Sequence, residues 1–218
     1  MKRIRMLQPI RLLLMLVLSI SMVAACAEQG QAEFDAGIDY AVLPHAVPTH
    51  VAPGKVQVVE MFWYGCPHCF HFEPFIQKWL ANKPAAAEFV RVPAALNSNW
   101  IPDARAYYAA ESLGVIDKLH EPLFNAIHEQ HRRINSEDAL ARFAASQGID
   151  EAAFRKAMNS FYVNTKLRQS VDLAQQYQVD GVPMIIVNGK YKVTGAMAGS
   201  YERMIEITNY LVAKEAAK

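Results

Sequence analysis

The segment Cys66-Pro67-His68-Cys69 restricts this chain more than any other feature. It follows an apolar, β-rich run from Val56 to Gly65 and precedes a helical pattern from Phe70 to Leu80. Two cysteines two residues apart at a helix start can close a small disulfide, and the same position can expose one sulfur as a low-pKa thiolate. Cys66, at or just before the first turn, faces unpaired backbone N–H groups and the positive end of the helix dipole, and both favour the anion. Cys69 lies one turn further in and is expected to be more buried. Sulfur exchange with another protein then runs through Cys66, while Cys69 resolves the mixed disulfide. His68 can donate a hydrogen bond or carry charge near the Cys66 sulfur. Pro67 sits where the first turn tolerates a missing N–H.

The rest of the 218 residues is consistent with such chemistry outside the reducing cytosol. Lys2, Arg3, Arg5 and Arg11 precede an uncharged apolar stretch of 14 residues, Leu12 to Ala25. That is shorter than the about 20 residues a membrane helix needs, and it reads as a signal peptide over residues 1–26. Val23-Ala24-Ala25-Cys26 resembles a bacterial lipobox, which would make Cys26 a lipidated first residue of an anchored protein. Ala25-Cys26-Ala27 alternatively reads as a small-x-small cleavage site, with Cys26 leaving alongside the signal. Both readings remove the odd thiol. Roughly 190 residues remain, enough for one sizeable core or a domain carrying an insertion. A net charge of +1 makes no case for nucleic-acid binding, and 52% hydrophobic residues imply a folded chain.

Periodicity supplies the fold class. Tyr40 to Leu43 reads as a short edge strand, Val56 to Phe62 as a strand buried on both faces, and Phe89 to Pro93 as another. Pro74 inside the intervening helical pattern predicts a kink. From Pro102 the period turns helical: Asp103 to Leu113, Val115 to His131, Ser136 to Gln147, Glu151 to Asn159, and Phe161 to Tyr177. Strand signals return at Met184 to Val187 and Tyr191 to Thr194, joined by the hairpin pair Asn188-Gly189. A helix from Ser200 to Ala213 closes the chain. A βαβ unit, a helical block and a ββα unit make an α/β chain: a thioredoxin-like fold with an inserted all-helical domain. Its expected parts are residues 34–98 and 178–218 for the sheet domain and 99–177 for the insertion with its connecting helix.

The stretch from Val59 to Glu73, VEMFWYGCPHCFHFE, resembles the active-site segment of the DsbA family of periplasmic thiol oxidases. Gly181-Val182-Pro183, followed by a strand and Val187-Asn188-Gly189-Lys190-Tyr191, is similar to the family's second signature. Glu111-Ser112-Leu113-Gly114 and Ala126-Ile127-His128 resemble its helical insertion. The resemblance covers residues 34–214. It implies that the Cys66–Cys69 disulfide is donated to newly exported, unfolded proteins and restored by a quinone-linked inner-membrane oxidase of the DsbB type. It further implies that Pro183 is a cis-proline, with Val182 lining the disulfide and offering its backbone to client peptides. Glu60 corresponds to a buried acid beneath the disulfide, and Glu73 to a second acid near the site. An apolar patch of Trp63, Tyr64, Val182 and Pro183 is expected to face clients. A monomer is expected, with no cofactor beyond the redox-active disulfide.

Other readings compete. A C-x-x-C is also half a zinc site, but no second one exists and only His68 and His71 lie nearby in sequence, so no metal is expected. His120, His128 and His131 lack the zincin spacing and read as solvated helix residues. Glu60 could instead be a partly exposed strand residue paired with Lys55 or Arg91, and Pro183 a strand-start proline. The rival functions are a disulfide reductase or isomerase, and a chaperone-like lipoprotein that binds clients without redox chemistry.

Overall fold

In the computed structural model, residues 33–218 are described; the signal segment and Cys26 lie outside them. The sheet has five strands in the order β1-β5-β4-β2-β3: β1 Ala41–Val42, β2 Val56–Phe62, β3 Ala87–Pro93, β4 Met184–Val187 and β5 Tyr191–Thr194. The central strand β2 runs parallel to β3 and antiparallel to β4, and β5 is antiparallel to both β4 and β1. Helix α1, Pro67–Asn82, makes the crossover from β2 to β3. Helices α2 Ile101–Ser112, α3 Ile116–His128, α4 Glu137–Ser146 and α5 Glu151–Met158 form the insertion, and α6 Phe161–Gln176 leads back to the sheet. The short α7, Gly195–Ala198, and the terminal α8, Tyr201–Ala216, follow β5. An α/β thioredoxin-like fold with a helical insertion is the result.

Period-two alternation in β2 sorts its side chains onto two faces. Val56 and Val58 pack with Phe72, Ile76 and Trp79 of α1 and with Met204, Ile207 and Leu211 of α8. Val59 and Met61 face the other way, toward Val92, Met184, Ile186 and the end of α6 at Ala174 and Tyr177. Each such fully buried apolar side chain stabilises the fold by about 1.5–3 kcal/mol. A third cluster fills the insertion with Leu119, Leu123, Phe124, Leu140, Phe143 and Phe154, and it extends to Phe62, Tyr64, Cys66 and Cys69.

Local chemistry fixes the ends. Ser136, Asp150, Ser160 and Ser200 each accept a backbone N–H of the helix they open. Gly189 turns the hairpin with φ of 62°, and a Cβ there would lie 2.0 Å from the Val47 carbonyl oxygen, so the close approach of that loop requires glycine. Some expected bounds shift. β3 begins at Ala87 rather than Phe89, and α1 continues through Pro74 as one helix. α3 ends at His128, not His131, because His131 adopts φ of 52° and leaves the helical path.

Candidate active site

The site is assembled where β2 ends and α1 begins. Cys66 is the N-cap of α1, with Pro67 in the first turn. Both cysteines are thiols in this structure; Cys69 is fully buried and Cys66 is 7% exposed. The Cys69 backbone N–H donates to the Cys66 sulfur at 3.4 Å, and as a thiol Cys66 donates to the Val182 carbonyl oxygen at 3.3 Å. The Cys69 side chain, the backbone N–H groups of Cys69 and His68, and the charge of His68 together bring the Cys66 thiol down from 9.0 to about 6, against the opposing effect of burial. Burial, reinforced by the neighbouring Cys66 sulfur and Glu60, pushes the Cys69 thiol far up. One sulfur of the pair is therefore built to ionise and the other to hold its proton. His68 Nδ1 stands 3.3 Å from the Tyr201 hydroxyl.

Register explains the acids below. Glu60 shares the α1-facing side of β2 with Val58 and Phe62, and its neighbour across the parallel ladder is Arg91. Arg91 Nε donates to Glu60 at 3.0 Å and its terminal nitrogen to Glu73 of α1 at 2.6 Å. Lys55, the other candidate partner of Glu60, instead donates to the Ala85 carbonyl. Glu60 is 1% exposed, so it is not a partly exposed strand residue. Its burial, with help from Glu73, outweighs Arg91 and raises the carboxyl to about 7. For Glu73, burial is outweighed by His120, Arg91 and Gln77, and the carboxylate is held down.

Two expectations are corrected here. His120 is not a solvated helix residue: it is 5% exposed, its Nδ1 lies 2.9 Å from the Tyr64 hydroxyl, and its Nε2 lies 3.4 Å from Glu73. Burial lowers its pKa, favouring a neutral ring that accepts from Tyr64. Tyr64 in turn is fully buried among Phe62, Phe124 and His120, so it forms no part of an exposed client patch. His128 is half-buried, stacks on Phe70 and bonds the Tyr64 carbonyl at 2.8 Å; His131 is exposed.

Trp63 is half-buried. Its indole stacks on Trp100 with centroids 4.4 Å apart and donates to Asp103 at 2.6 Å. A Cβ on Gly65 would overlap the Trp63 ring, at 2.2 Å, so glycine lets the indole fold back over the backbone just before Cys66. Val182, joined to Pro183 by a cis peptide bond, presents its carbonyl to Cys66. Val182 and Pro183, with His68, Phe75, Thr194 and Tyr201, line a groove of about 820 Å³. Asp103, Trp100 and Tyr201 are residues near the site that motif reading passed over, and His120 was assigned to solvent. Arg91 was named only as a possible partner of Glu60, a pairing the structure contains.

Comparison with known proteins agrees with this geometry. The family of the DSBA-like thioredoxin domain matches residues 89–200. The Thiol:disulfide interchange protein DsbA of Burkholderia cepacia is 38% identical over 202 residues, 93% of this chain and 95% of that one. The protein of that name from Pseudomonas aeruginosa PAO1 is 38% identical over 206 residues, 94% of this chain and 97% of its own. The crystal structure of Pseudomonas aeruginosa DsbA superposes with a TM-score of 0.80 at 40% identity, covering 84% of this chain and 95% of that one. The oxidoreductase DsbA from Xylella fastidiosa gives 0.79 at 37% identity, over 85% and 99% of the two chains. With a thiol pair of unequal acidity at a helix N-terminus and relatives matching nearly its whole length, this chain belongs to the DsbA family of thiol:disulfide oxidoreductases.

Proposed function

We propose that this protein is a periplasmic protein thiol oxidase that gives its Cys66–Cys69 disulfide to newly exported, unfolded proteins. The observation that carries the reading is the asymmetry of the pair, with Cys66 lowered to about 6 and Cys69 raised by burial. A client thiolate attacks the Cys66 sulfur, the Cys66–Cys69 bond breaks, and Cys69 leaves with the electron pair and takes up a proton. A second client thiolate then attacks the client sulfur of the mixed disulfide and expels Cys66 as a thiolate. The client loses two electrons and the protein gains them. A low-pKa sulfur leaves readily, so the second step favours release of an oxidised client.

Glu60, half-protonated near neutrality, supplies the proton to Cys69 as it leaves and recovers it on reoxidation. Glu73 and Arg91 hold Glu60 in place. The Val182 carbonyl, beside Cys66, pairs with client backbone, and the groove next to it takes apolar client side chains. Reoxidation falls to a quinone-linked inner-membrane oxidase of the DsbB type, and the disulfide itself is the electron carrier. A lipid on Cys26 would tether the protein to a membrane facing its clients.

The test uses two variants. Cys66→Ala is expected to abolish oxidation of a reduced client protein, whereas Cys69→Ala, given a client that carries a disulfide for the Cys66 thiolate to attack, is expected to accumulate client-linked mixed disulfides visible on non-reducing gels. Absence of any trapped species with Cys69→Ala refutes the division of roles.

A further inference from the structure

Residues on the two sides of Cys66 line different cavities. His68 borders the groove beside Val182 and Pro183, whereas Gly65 and Trp63 border a separate cleft of about 430 Å³. The cleft's other walls come from the insertion, among them Asp103 of α2 and the strap after α3 that carries Arg132, Arg133 and Ile134. Asp103 is 5% exposed. One of its carboxylate oxygens accepts from Trp63, and the other, Oδ1, is buried without a hydrogen-bond partner among the described residues.

Both arginines are exposed, and neither forms an ion pair among the described residues. The Arg132 guanidinium lies over the Phe143 ring at 5.1 Å, which restricts its travel. Backbone bonding from the Arg132 N–H to the Ala126 carbonyl ties the strap to α3. A cationic rim, held at Arg132 and bordering the Trp63–Gly65 segment that leads into Cys66, above a buried carboxyl oxygen with no hydrogen-bond partner among the described residues, has the chemistry of a surface that recognises acidic groups.

We propose that this cleft is a second client subsite, which takes the residues flanking the client cysteine on the side away from Pro183 and selects acidic side chains there. The proposal rests on the reading of Cys66 as the sulfur joined to the client. A client chain held at Val182 and bonded to Cys66 has the apolar groove toward one flank and the arginine-rimmed cleft toward the other. Carboxylates on that second flank meet Arg132 and Arg133. Burial raises the Asp103 carboxyl to about 7, so part of the time it is protonated and uncharged. The floor then does not repel an acidic segment as a full carboxylate would.

The experiment follows oxidation of synthetic peptides, each with two cysteines, by the oxidised full chain. Glu or Lys pairs are placed either before or after the first cysteine, with a neutral-flank peptide alongside. In one of the two placements the Glu peptide is expected to exceed the Lys peptide in kcat/KM by roughly three- to tenfold, the range for two partly exposed charge pairs, and added salt should shrink the ratio. Arg132→Glu with Arg133→Glu should invert it. Arg133→Glu alone, which leaves the Phe143 contact intact, should reduce it and covers the case in which the double variant fails to fold. Equal rates for Glu and Lys peptides in both placements overturn the proposal, as does a preference that survives Arg133→Glu unchanged. If no peptide is oxidised, including the neutral one, the oxidase reading itself has failed.

Discussion

Raising the pH should weaken this protein as an oxidant less steeply above pH 6 than below it. A dithiol that takes up two protons on reduction changes potential by about 59 mV per pH unit, and one that takes up a single proton by about 30 mV. Cys69 keeps its proton throughout, because burial pushes its thiol up. Cys66 ionises at about 6, so above that value the reduced form needs one proton fewer. Relative to a thiol that stays protonated, the ionised sulfur stabilises the reduced form by RT ln 11 at pH 7, about 1.4 kcal/mol. That corresponds to about 30 mV toward the oxidising side. At pH 5 the same contribution is below about 0.1 kcal/mol. The sulfur stands at the mouth of the site, so solvent screening makes the value at pH 7 an upper one.

The sign follows from linkage. A folded-state pKa depressed below the unfolded value adds stability that is complete above the unfolded pKa and is lost as the pH falls through the folded one. The reduced form has this contribution and the disulfide form has none. The assay is the glutathione equilibrium of Cys66–Cys69 between about pH 5 and 8, paired with thiolate absorbance of the reduced protein in the ultraviolet. A potential that falls by about 59 mV per unit with no break, together with a thiolate transition near 9, would refute the reasoning.

Two further outcomes follow from the buried acids. Glu60→Gln cannot give a proton to Cys69, so single-turnover client oxidation should slow by about tenfold or more. Burial raises Glu60 from 4.5 to about 7, so wild-type stability falls as the pH rises through that range, and denaturant melts of the variant should lack that slope. An unchanged rate and slope would remove Glu60 from the proton path. Glu215 of α8 anchors the hairpin through Lys190, Asn188 and Tyr191 and also pairs with Lys218, and these bonds outweigh its burial and hold it at about 2. Its contribution is present above 4.5 and lost toward about 2. Glu215→Gln should therefore cost about 1–2 kcal/mol in urea at neutral pH, after screening, and much less near pH 3. A cost independent of pH would show that the carboxylate's charge is not what matters.

What could be read in the residues was what local chemistry determines. The strand bounds of Val56–Phe62 and the hairpin at Asn188-Gly189 followed from apolar continuity and turn chemistry, and the helix starts at Ser136 and Asp150 from short polar side chains before helical runs. The unequal cysteines followed from their places on one helical turn. Contacts between distant segments were illegible. His120 is 47 residues from Glu73 along the chain, and no spacing rule joins a histidine on an insertion to an acid on the crossover helix. Tyr64 was misjudged for a related reason: adjacent to Trp63 and before a turn, it reads as a surface aromatic until Phe124 is known to cover it. Asp103 gave no sign of being buried, because an acid in a first helical turn ordinarily faces solvent and its partner indole lies 40 residues away.

The segment just before Cys66 is gripped by the insertion at four points: Trp63 by Asp103 and Trp100, and Tyr64 by His120 through its phenol and by His128 through its carbonyl. Those four side chains come from, or immediately precede, α2 and α3. The insertion is therefore no detachable accessory. Excising it to leave a minimal oxidoreductase would unmoor the very loop that presents the sulfur, and grafting the CPHC tetrapeptide onto a bare sheet would carry over the letters without their mounting.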